Sequence, residues 1–369
     1  MTDRIAASST LIQDEQDRFR QSLTGVTRDF LSAQRTLLES VSPDSAVLVD
    51  AIERLVAGGK KMRPLLCYWG WRGAGGATDD DGIVTAGMSL ELFQAAALVH
   101  DDIIDRSDIR RGAPSVHKQF EGRHDNGRWH LDAAHFGTGA AILAGDLCLS
   151  LSEEAFASIA GAPETLRTAR AIFNRMRTEV MAGQYLDLLE EAVGPDRDPA
   201  EAAERALGIV RFKSARYSTE HPLCIGGALA GATPEMLAGY SSFALPLGEA
   251  FQLRDDLLGV YGDPAVTGKP SGDDLREGKR TVLIAKALQA GSPEQKDALN
   301  AGLGSTVMSQ EEVFQLQGII DQTGAREEVE ALIAERAATS FQALEAIPLD
   351  AVCRDALGFL AEAAVTRTA

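Results

Sequence analysis

Apolar residues recur at helical spacing along most of the chain. Five long stretches carry apolar residues at positions i, i+3, i+4 and i+7, the spacing that places them on one face of a helix. These stretches are residues 30–38, 84–104, 166–189, 202–212 and 329–344. No stretch of similar length alternates between apolar and polar residues as a half-exposed strand does. The pattern therefore predicts an all-α protein.

Segments rich in glycine, proline and aspartate separate these predicted helices. They are residues 73–82, 122–139, 193–199 and 262–279. Their composition is typical of turns between helices rather than of a flexible linker between domains. We therefore expect residues 1–369 to form a single domain of many helices, with residues 1–20 as a loosely ordered N-terminal extension.

The composition favours helices and narrows the classes of function. Apolar residues make up 45% of the chain and aromatic residues only 6%, and the formal net charge is −18. So acidic a chain argues against the basic surface that nucleic acids or anionic lipids require. No uninterrupted apolar run approaches the roughly 20 residues of a membrane-spanning helix, and the first residues are too polar for a signal peptide. We expect a cytoplasmic protein with no membrane span.

The four cysteines fit a reducing compartment. Cys67, Cys148, Cys224 and Cys353 lie in separate apolar surroundings and lack the close spacing of zinc ligands. We therefore expect buried free thiols without a role in metal binding.

The clearest chemical signal is a group of carboxylates at the end of an apolar helix. The helix predicted over residues 84–104 runs directly into Asp101, Asp102 and Asp105. Asp101 and Asp105 are four residues apart and therefore project from the same helical face, where like charges repel unless a cation lies between them. A solvated helix end would be the simpler explanation for one such group. A second group, the pair Asp255-Asp256, ends another apolar segment, and this favours metal sites in a shared cavity.

The two groups together predict magnesium and a diphosphate. Oxygen ligands with no histidine or cysteine among them favour Mg²⁺, which takes only one or two carboxylates and leaves positions for phosphate oxygens. Basic residues follow each group, namely Arg110 and Arg111 after the first and Lys269 and Lys279 after the second. Carboxylates for the metal and cations for the phosphate oxygens are the parts that a diphosphate site needs.

These motifs resemble those of the trans-isoprenyl diphosphate synthases, the polyprenyl synthetases, from about Gly58 onward. Residues 58–64 (GGKKMRP) resemble the family's GGKxxRP segment, and residues 101–111 (DDIIDRSDIRR) resemble its first aspartate-rich motif. Lys213-Ser214 resembles the family's lysine-hydroxyl pair, and residues 251–256 (FQLRDD) resemble its second aspartate-rich motif. The resemblance implies the isoprenoid synthase fold, in which many helices surround a central active-site cavity.

The resemblance also implies a role for each matching residue. About three Mg²⁺ ions would be held by Asp101, Asp102, Asp105, Asp255 and Asp256. Isopentenyl diphosphate would be bound by Lys60, Arg63, Gln94 and Arg111. The allylic diphosphate would be bound by Arg110, Lys213 and Lys269, with Lys279 as a further substrate-binding residue. The candidate catalytic residues, those nearest the reacting carbons, are Lys213, Ser214 and Gln252.

One position departs from the family pattern. The second motif usually ends in a third aspartate, but Gly259 stands there. That aspartate is generally the most peripheral of the three, so we expect metal binding to persist through Asp255 and Asp256. The geometry and the metal affinity of the second group stay open.

The implied reaction joins an allylic diphosphate (dimethylallyl, geranyl or farnesyl) head to tail to isopentenyl diphosphate. Metal neutralises the diphosphate as it leaves, and the isopentenyl double bond is held beside the resulting carbocation. The family resemblance and the apolar helices suggest that the active form is a homodimer.

The length of the product should depend on how deep a tunnel runs along the helix before Asp101. Ala96 and Ala97 are small at positions where farnesyl-specific relatives carry aromatic residues, and Phe93, one turn earlier, is either the tunnel floor or ordinary core. We expect geranylgeranyl diphosphate (C20), with C15 or C25 as alternatives. Replacing Ala96 by phenylalanine should shorten the product.

Two other functions share some of these features. A class I terpene cyclase also carries an aspartate-rich motif with magnesium on an all-α fold, but it has no isopentenyl site, so Lys60 and Arg63 argue against it. A non-catalytic regulatory subunit of a synthase would tolerate Gly259, but the complete first motif argues against that alternative.

Overall fold

The computed structural model describes residues 2–193, 197–263, 271–305 and 307–365. Its long elements are all helices, which confirms the expected all-α fold. The chain divides into two compact units, residues 1–166 and residues 167–369. The expectation of a single domain stays a prediction.

The first unit consists of helices and one short hairpin. Its helices are α1 (Thr2–Val41), α2 (Val47–Ala57), α3 (Met62–Gly73), α4 (Asp81–Ile104), α5 (Val116–Gly127) and α6 (Ala133–Ala157), with a 3₁₀ turn at Pro43–Ala46. Between α4 and α5, β1 (Ile109–Arg110) pairs antiparallel with β2 (Ala113–Pro114).

The expected loose extension at the N-terminus is instead the first half of α1. Ile12 and Phe19 are buried, seven residues apart on one helical face. The Glu15 carboxylate accepts hydrogen bonds from the Tyr68 hydroxyl at 2.6 Å and from Arg72 Nε at 2.7 Å. The polar composition of this segment concealed a narrow apolar stripe, which is sufficient to fix the helix.

Helix α4 is the core helix of the first unit. It packs against α1, α3 and α6, and its buried residues lie on more than one face. Ser89 of α4 and Ser152 of α6 each donate a hydrogen bond to the other's carbonyl oxygen at 2.8 Å, so the two helices approach closely. This packing fixes the direction of α4 and therefore the position of the carboxylates at its C-terminal end.

Helices α4 and α6 are long and apolar enough, by length and composition alone, to cross a membrane. In α4, 67% of the most apolar 18-residue window is buried inside the protein, as in a core helix, against 33% in α6. Both windows include polar residues, which is why the sequence shows no uninterrupted apolar run. The absence of a membrane span stays an expectation.

The second unit is also helical. Its elements are α7 (Pro163–Val193), which begins just before the division, α8 (Ala202–Ile209), a π-helical segment (Val210–Glu220), α9 (His221–Leu229), α10 (Pro234–Tyr261), α11 (Asp273–Glu277), α12 (Val282–Ala290), α13 (Pro293–Gly302), α14 (Gln310–Gln322), α15 (Ala325–Ala346) and α16 (Ala351–Val365). A further 3₁₀ turn lies at Pro199–Glu201. Helix α10 packs against the π-helical segment, α9 and α15.

Of the helix that the sequence predicts over residues 202–212, residues 202–209 form α8, and residues 210–212 instead begin the π-helical segment. Pro222 follows it and has no N–H to donate, which favours an irregular helix before it. Two glycines of neighbouring helices allow the wider turn to pack. A Cβ atom on Gly183 of α7 would lie 2.4 Å from the Lys213 nitrogen, and one on Gly248 of α10 would lie 2.6 Å from Ala215 Cα.

Candidate active site

The first acidic group lies at the C-terminal end of α4. Asp105 caps the helix, and its N–H donates to the Asp101 carbonyl oxygen at 2.8 Å, so the helical turn that joins the two residues is intact. Asp101 and Asp105 are half-buried, whereas the side chain of Asp102 is only 2% exposed. The carboxylates therefore differ in their access to solvent, although they are adjacent in sequence.

The β1–β2 hairpin directs Arg110 back onto this group. Arg111 and Gly112 both have positive φ angles, 54° and 75°, as the tight two-residue turn requires. Arg110 Nε donates to Asp102 Oδ1 at 2.8 Å, and Arg110 Nη2 lies 3.6 Å from Asp101 Oδ2. Burial raises the pKa of Asp102, and Arg110 opposes that rise. The buried carboxylate and the guanidinium thus hold each other in place.

The GGKKMRP segment holds Arg111. Gly58 and Gly59 give its guanidinium room, because a Cβ atom on either would lie 2.9 Å or 2.7 Å from a guanidinium nitrogen. Lys61 Nζ donates to Glu91 Oε2 on α4 at 2.6 Å and to the Gly58 carbonyl oxygen at 2.9 Å, which fixes the loop. The two glycines of the motif thus leave the space that the Arg111 guanidinium occupies, and the φ angle of 91° at Gly59 also favours glycine.

Cations gather beside this loop. Burial lowers the pKa of Arg111; the charge of Glu91 opposes this effect, and the charges of Arg110 and Arg63 add to it. Lys60 is exposed, and Gln94 is half-buried on α4. The first unit thus brings Arg63 and Arg110 within electrostatic range of Arg111, an arrangement that favours an anionic ligand.

The π-helical segment of the second unit presents Lys213 and Ser214. Lys213 Nζ lies 2.5 Å from Asp187 Oδ2 on α7, and Ser214 is half-buried. Gly183, one turn before Asp187, permits the backbones of α7 and the π-helical segment to touch. The ammonium group is therefore positioned by a carboxylate as well as by backbone packing.

The second acidic group contains one exposed and one buried carboxylate. Asp255 is exposed, whereas Asp256 is buried and accepts a hydrogen bond from Gln252 Nε2 at 2.8 Å. Burial, followed by the charges of Asp274, Asp255 and Asp187, raises the pKa of Asp256 to about 8. A carboxylate crowded by other carboxylates in this way favours either a proton or a cation.

The lysines predicted after the second group have different outcomes. Lys279 Nζ lies 2.6 Å from Glu277 Oε2 and 3.8 Å from Asp274 Oδ1. Lys269 lies outside the described residues, so its predicted role in phosphate binding stays a prediction.

The donor chemistry of both acidic groups fits Mg²⁺. Among the described residues, no three carboxylate, imidazole or thiolate groups already converge on one point as metal ligands. Carboxylates close together in sequence repel one another, and Asp102 is turned toward Arg110. The available donors are nonetheless hard oxygens, which Mg²⁺ prefers, and a cation would compensate the buried charge of Asp256.

The structure adds residues to which the sequence reasoning assigned no role. Lys61 and Glu91 form an ion pair with both side chains largely buried, and Asp187 holds Lys213. The signal for Asp187 was its place one turn after Gly183. For Glu91 the signal was its place three residues before Gln94, which puts the two side chains on the same face of the helix.

Comparison with known proteins identifies the family. Residues 45–320, about three quarters of the chain, match the family model for polyprenyl synthetase. The chain belongs to the polyprenyl synthetase family. The structure is also similar to a geranylgeranyl pyrophosphate synthase from Corynebacterium glutamicum complexed with isoprenyl diphosphate and magnesium. The two are 39% identical, with a TM-score of 0.90, over 95% of this chain and 99% of the other.

Curated relatives of this polyprenyl synthetase make products of different length. The geranylgeranyl diphosphate synthase of Sulfolobus acidocaldarius is 34% identical over 76% of this chain and 78% of its own length. The octaprenyl diphosphate synthase of Escherichia coli is 30% identical over 92% and 96%. The protein is thus a polyprenyl diphosphate synthase, a prenyltransferase that elongates prenyl diphosphates, and the cyclase and regulatory-subunit alternatives are set aside.

Proposed function

We propose that this synthase extends allylic diphosphates by addition of isopentenyl diphosphate and releases geranylgeranyl diphosphate, C20. The observation that carries the proposal is the state of two side chains on α4. Ala97 is half-buried and lies one turn before Asp101 on nearly the same face, whereas Phe93, one further turn back, is 2% exposed. A small residue above a large buried one leaves room for a tail of limited length.

The cationic side chains bind the allylic diphosphate and stabilise its departure. Arg110 and Lys213 provide fixed positive charge, since Asp102 and Asp187 hold them in place before the substrate arrives. Mg²⁺ bound by the carboxylates of both acidic groups, three ions in the complete site, would neutralise the charge that develops on the diphosphate. Lys279 contributes a further cation.

A second set of residues holds isopentenyl diphosphate. Arg63 and the exposed Lys60 belong to the GGKKMRP segment, and the Arg111 guanidinium lies against its two glycines. Gln94 lies on α4, two turns before Asp101. Binding at these residues places the isopentenyl double bond beside the allylic carbon, so the chain supplies orientation rather than covalent chemistry.

The reacting carbons need surroundings that expel water but offer weak dipoles. Ser214 is half-buried, and the Gln252 amide is held by Asp256. We propose that the Ser214 hydroxyl and the Gln252 side-chain oxygen face the allylic cation, because an oxygen dipole stabilises positive charge without capturing it.

Product length is the measurement that tests the proposal. Purified enzyme is incubated with Mg²⁺, labelled isopentenyl diphosphate and each allylic starter, and the products are separated by chain length. Wild type should stop at C20, and Ala97→Phe should stop at C15, whereas Ala97→Ser should keep the wild-type length. Because Ala96 is fully buried, Ala96→Phe should mainly disturb the core, contrary to the expectation from sequence. A wild-type product longer than C20, or an Ala97→Phe product of unchanged length, would contradict the proposal.

We also propose that the synthase is a homodimer. Helix α6 exposes Ile142 and Leu143, and α7 exposes Met181, Tyr185 and Leu188. Several large apolar side chains exposed on neighbouring turns of a helix favour a contact with another protein surface. The four cysteines are free and buried, which supports the proposal of a reducing, cytoplasmic location.

A further inference from the structure

The bare backbone of Gly259 is covered by a carboxylate from another helix. A Cβ atom on Gly259 would lie 2.0 Å from Asp274 Oδ2 and 2.3 Å from Asp274 Cγ. The Asp274 carboxylate therefore fills the space that a side chain at position 259 would occupy. Position 259 is where the second aspartate-rich motif of the family usually carries its third aspartate.

The fold positions Asp274 through the short helix α11. Leu275 is fully buried and anchors the helix. Gly272 and Gly278 stand at its two ends with φ angles of 77° and 81°. A Cβ atom on Gly272 would lie 2.4 Å from Val313, and one on Gly278 would lie 2.9 Å from the backbone of Gly304. Both ends are therefore tightly packed, which holds Asp274 against α10.

Asp274 also belongs electrostatically to the second acidic group. Its charge acts on the buried Asp256 carboxylate, as do the charges of Asp255 and Asp187. Lys279 Nζ lies 3.8 Å from its Oδ1 atom, within ion-pair distance, so a basic residue accompanies this carboxylate. Asp274 thus brings its negative charge to the place where the motif lacks one.

We propose that Asp274 supplies the third carboxylate of the second magnesium group in place of the residue at position 259. The proposal rests on the proposed function, since it assigns a role toward the metal that the function requires. It makes metal binding at α10 depend on the packing of α11, so one acidic group is assembled from two helices.

A substitution that removes the negative charge but keeps the size of the side chain tests the proposal. Full-length Asp274→Asn is titrated with Mn²⁺ in the presence of inorganic diphosphate, and free Mn²⁺ is followed by electron paramagnetic resonance. Asp274→Asn should weaken one class of Mn²⁺ site by about tenfold or more, the scale expected for a residue that binds or orients a metal ligand. The matched control is Asp273→Asn, which removes the neighbouring charge on the same helix and should leave the affinity unchanged.

A double-mutant cycle assigns the lost site to the second group. In an Asp255→Asn background, Asp274→Asn should cause no further loss of Mn²⁺ affinity, because both substitutions act on the same ion. Equal affinities for Asp274→Asn and Asp273→Asn, or an undiminished loss in the Asp255→Asn background, would overturn the proposal. Elongation of the prenyl chain by wild type is assayed on the same preparation. If wild type elongates but the double-mutant cycle does not give the expected Mn²⁺ affinities, only the role of Asp274 is rejected. If wild type does not elongate, the proposed function is rejected.

Moving the carboxylate back to α10 provides a second, independent test. Gly259→Asp alone should lower the melting temperature, because its side chain meets the Asp274 carboxylate. Combining Gly259→Asp with Asp274→Ala should restore both the melting temperature and the Mn²⁺ affinity. These two variants also test the proposal if Asp274→Asn proves unstable. A double variant that folds but does not regain the Mn²⁺ affinity of wild type contradicts it.

Discussion

The ionisation of Asp256 without a bound cation should lower the stability of the folded protein. Burial and the neighbouring carboxylates raise its pKa from 3.8 to about 8 in the folded protein. Between these two values the folded protein holds a proton that the unfolded chain has released. The contribution of this group to stability is therefore complete below about pH 4 and is lost as the pH rises to about 8.

This sign leads to a prediction on metal removal. In EDTA, the melting temperature of wild type should fall relative to that of Asp256→Asn as the pH rises from about 4 to about 8. Saturating Mg²⁺ should reduce the difference, because a bound cation compensates the ionised carboxylate. Thermal denaturation of both proteins across this pH range, with and without Mg²⁺, makes the measurement. Parallel curves in EDTA would show that Asp256 titrates normally.

At the scale of residues, the sequence located the acidic groups but not the ion pairs that hold two lysines, Lys61 and Lys213. The spacing of Asp101 and Asp105 and the apolar helix before them follow from local periodicity, which is readable in one dimension. The pairing of Lys213 with Asp187 joins residues 26 positions apart, and Lys61 with Glu91 joins residues 30 apart. Such pairs depend on helix packing, for which a single sequence carries no direct signal.

At the scale of elements, the contact between α7 and the π-helical segment depends on one missing side chain. A Cβ atom on Gly183 would lie 2.4 Å from the Lys213 nitrogen and 2.8 Å from its Cα atom. These are backbone atoms, which cannot rotate away as a flexible side chain can. Gly183→Ala must therefore separate the two helices or shift the π-helical segment that carries Lys213.

Gly183→Ala should lower both stability and activity. Overpacking of this kind typically costs about 1–3 kcal/mol, although alanine is intrinsically the better helix former. Gly208→Ala is the matched control, since the same change in α8 meets nothing within 4 Å and should stabilise the helix slightly. Denaturant unfolding gives the free energies, and the rate of elongation should fall only for Gly183→Ala. Equal free energies of unfolding for the two variants would show that the contact between α7 and the π-helical segment can widen without loss of stability.

The elements themselves were predictable to different degrees. The helix expected over residues 84–104 is realised as α4, because its apolar pattern is long and unbroken. The β1–β2 hairpin was missed because each strand has only two residues, too few for an alternating pattern. The π-helical segment was also missed, since its apolar periodicity differs little from that of an α-helix over so short a stretch.

At the scale of the whole molecule, α6 is the element that the first unit leaves incompletely covered. Its most apolar window is only 33% buried, and Leu143 is 61% exposed. A two-fold symmetric copy would cover this face with the same face of its partner, since most soluble oligomers are closed and symmetric. The apolar face of α6 would then contact a second chain rather than lipid.

Light scattering after size-exclusion chromatography tests this arrangement. Wild type should elute with about twice the mass of one 39.3 kDa chain. Leu143→Glu should shift the mass toward the monomer, because it places a charge in the apolar contact, where an unpaired charge is costly. Phe314→Glu is the matched control. The exposed fraction of Phe314, 60%, is close to the 61% of Leu143, but Phe314 lies on α14 in the other unit. A monomeric wild type would reject the dimer, and a dimeric Leu143→Glu variant would place the interface away from α6.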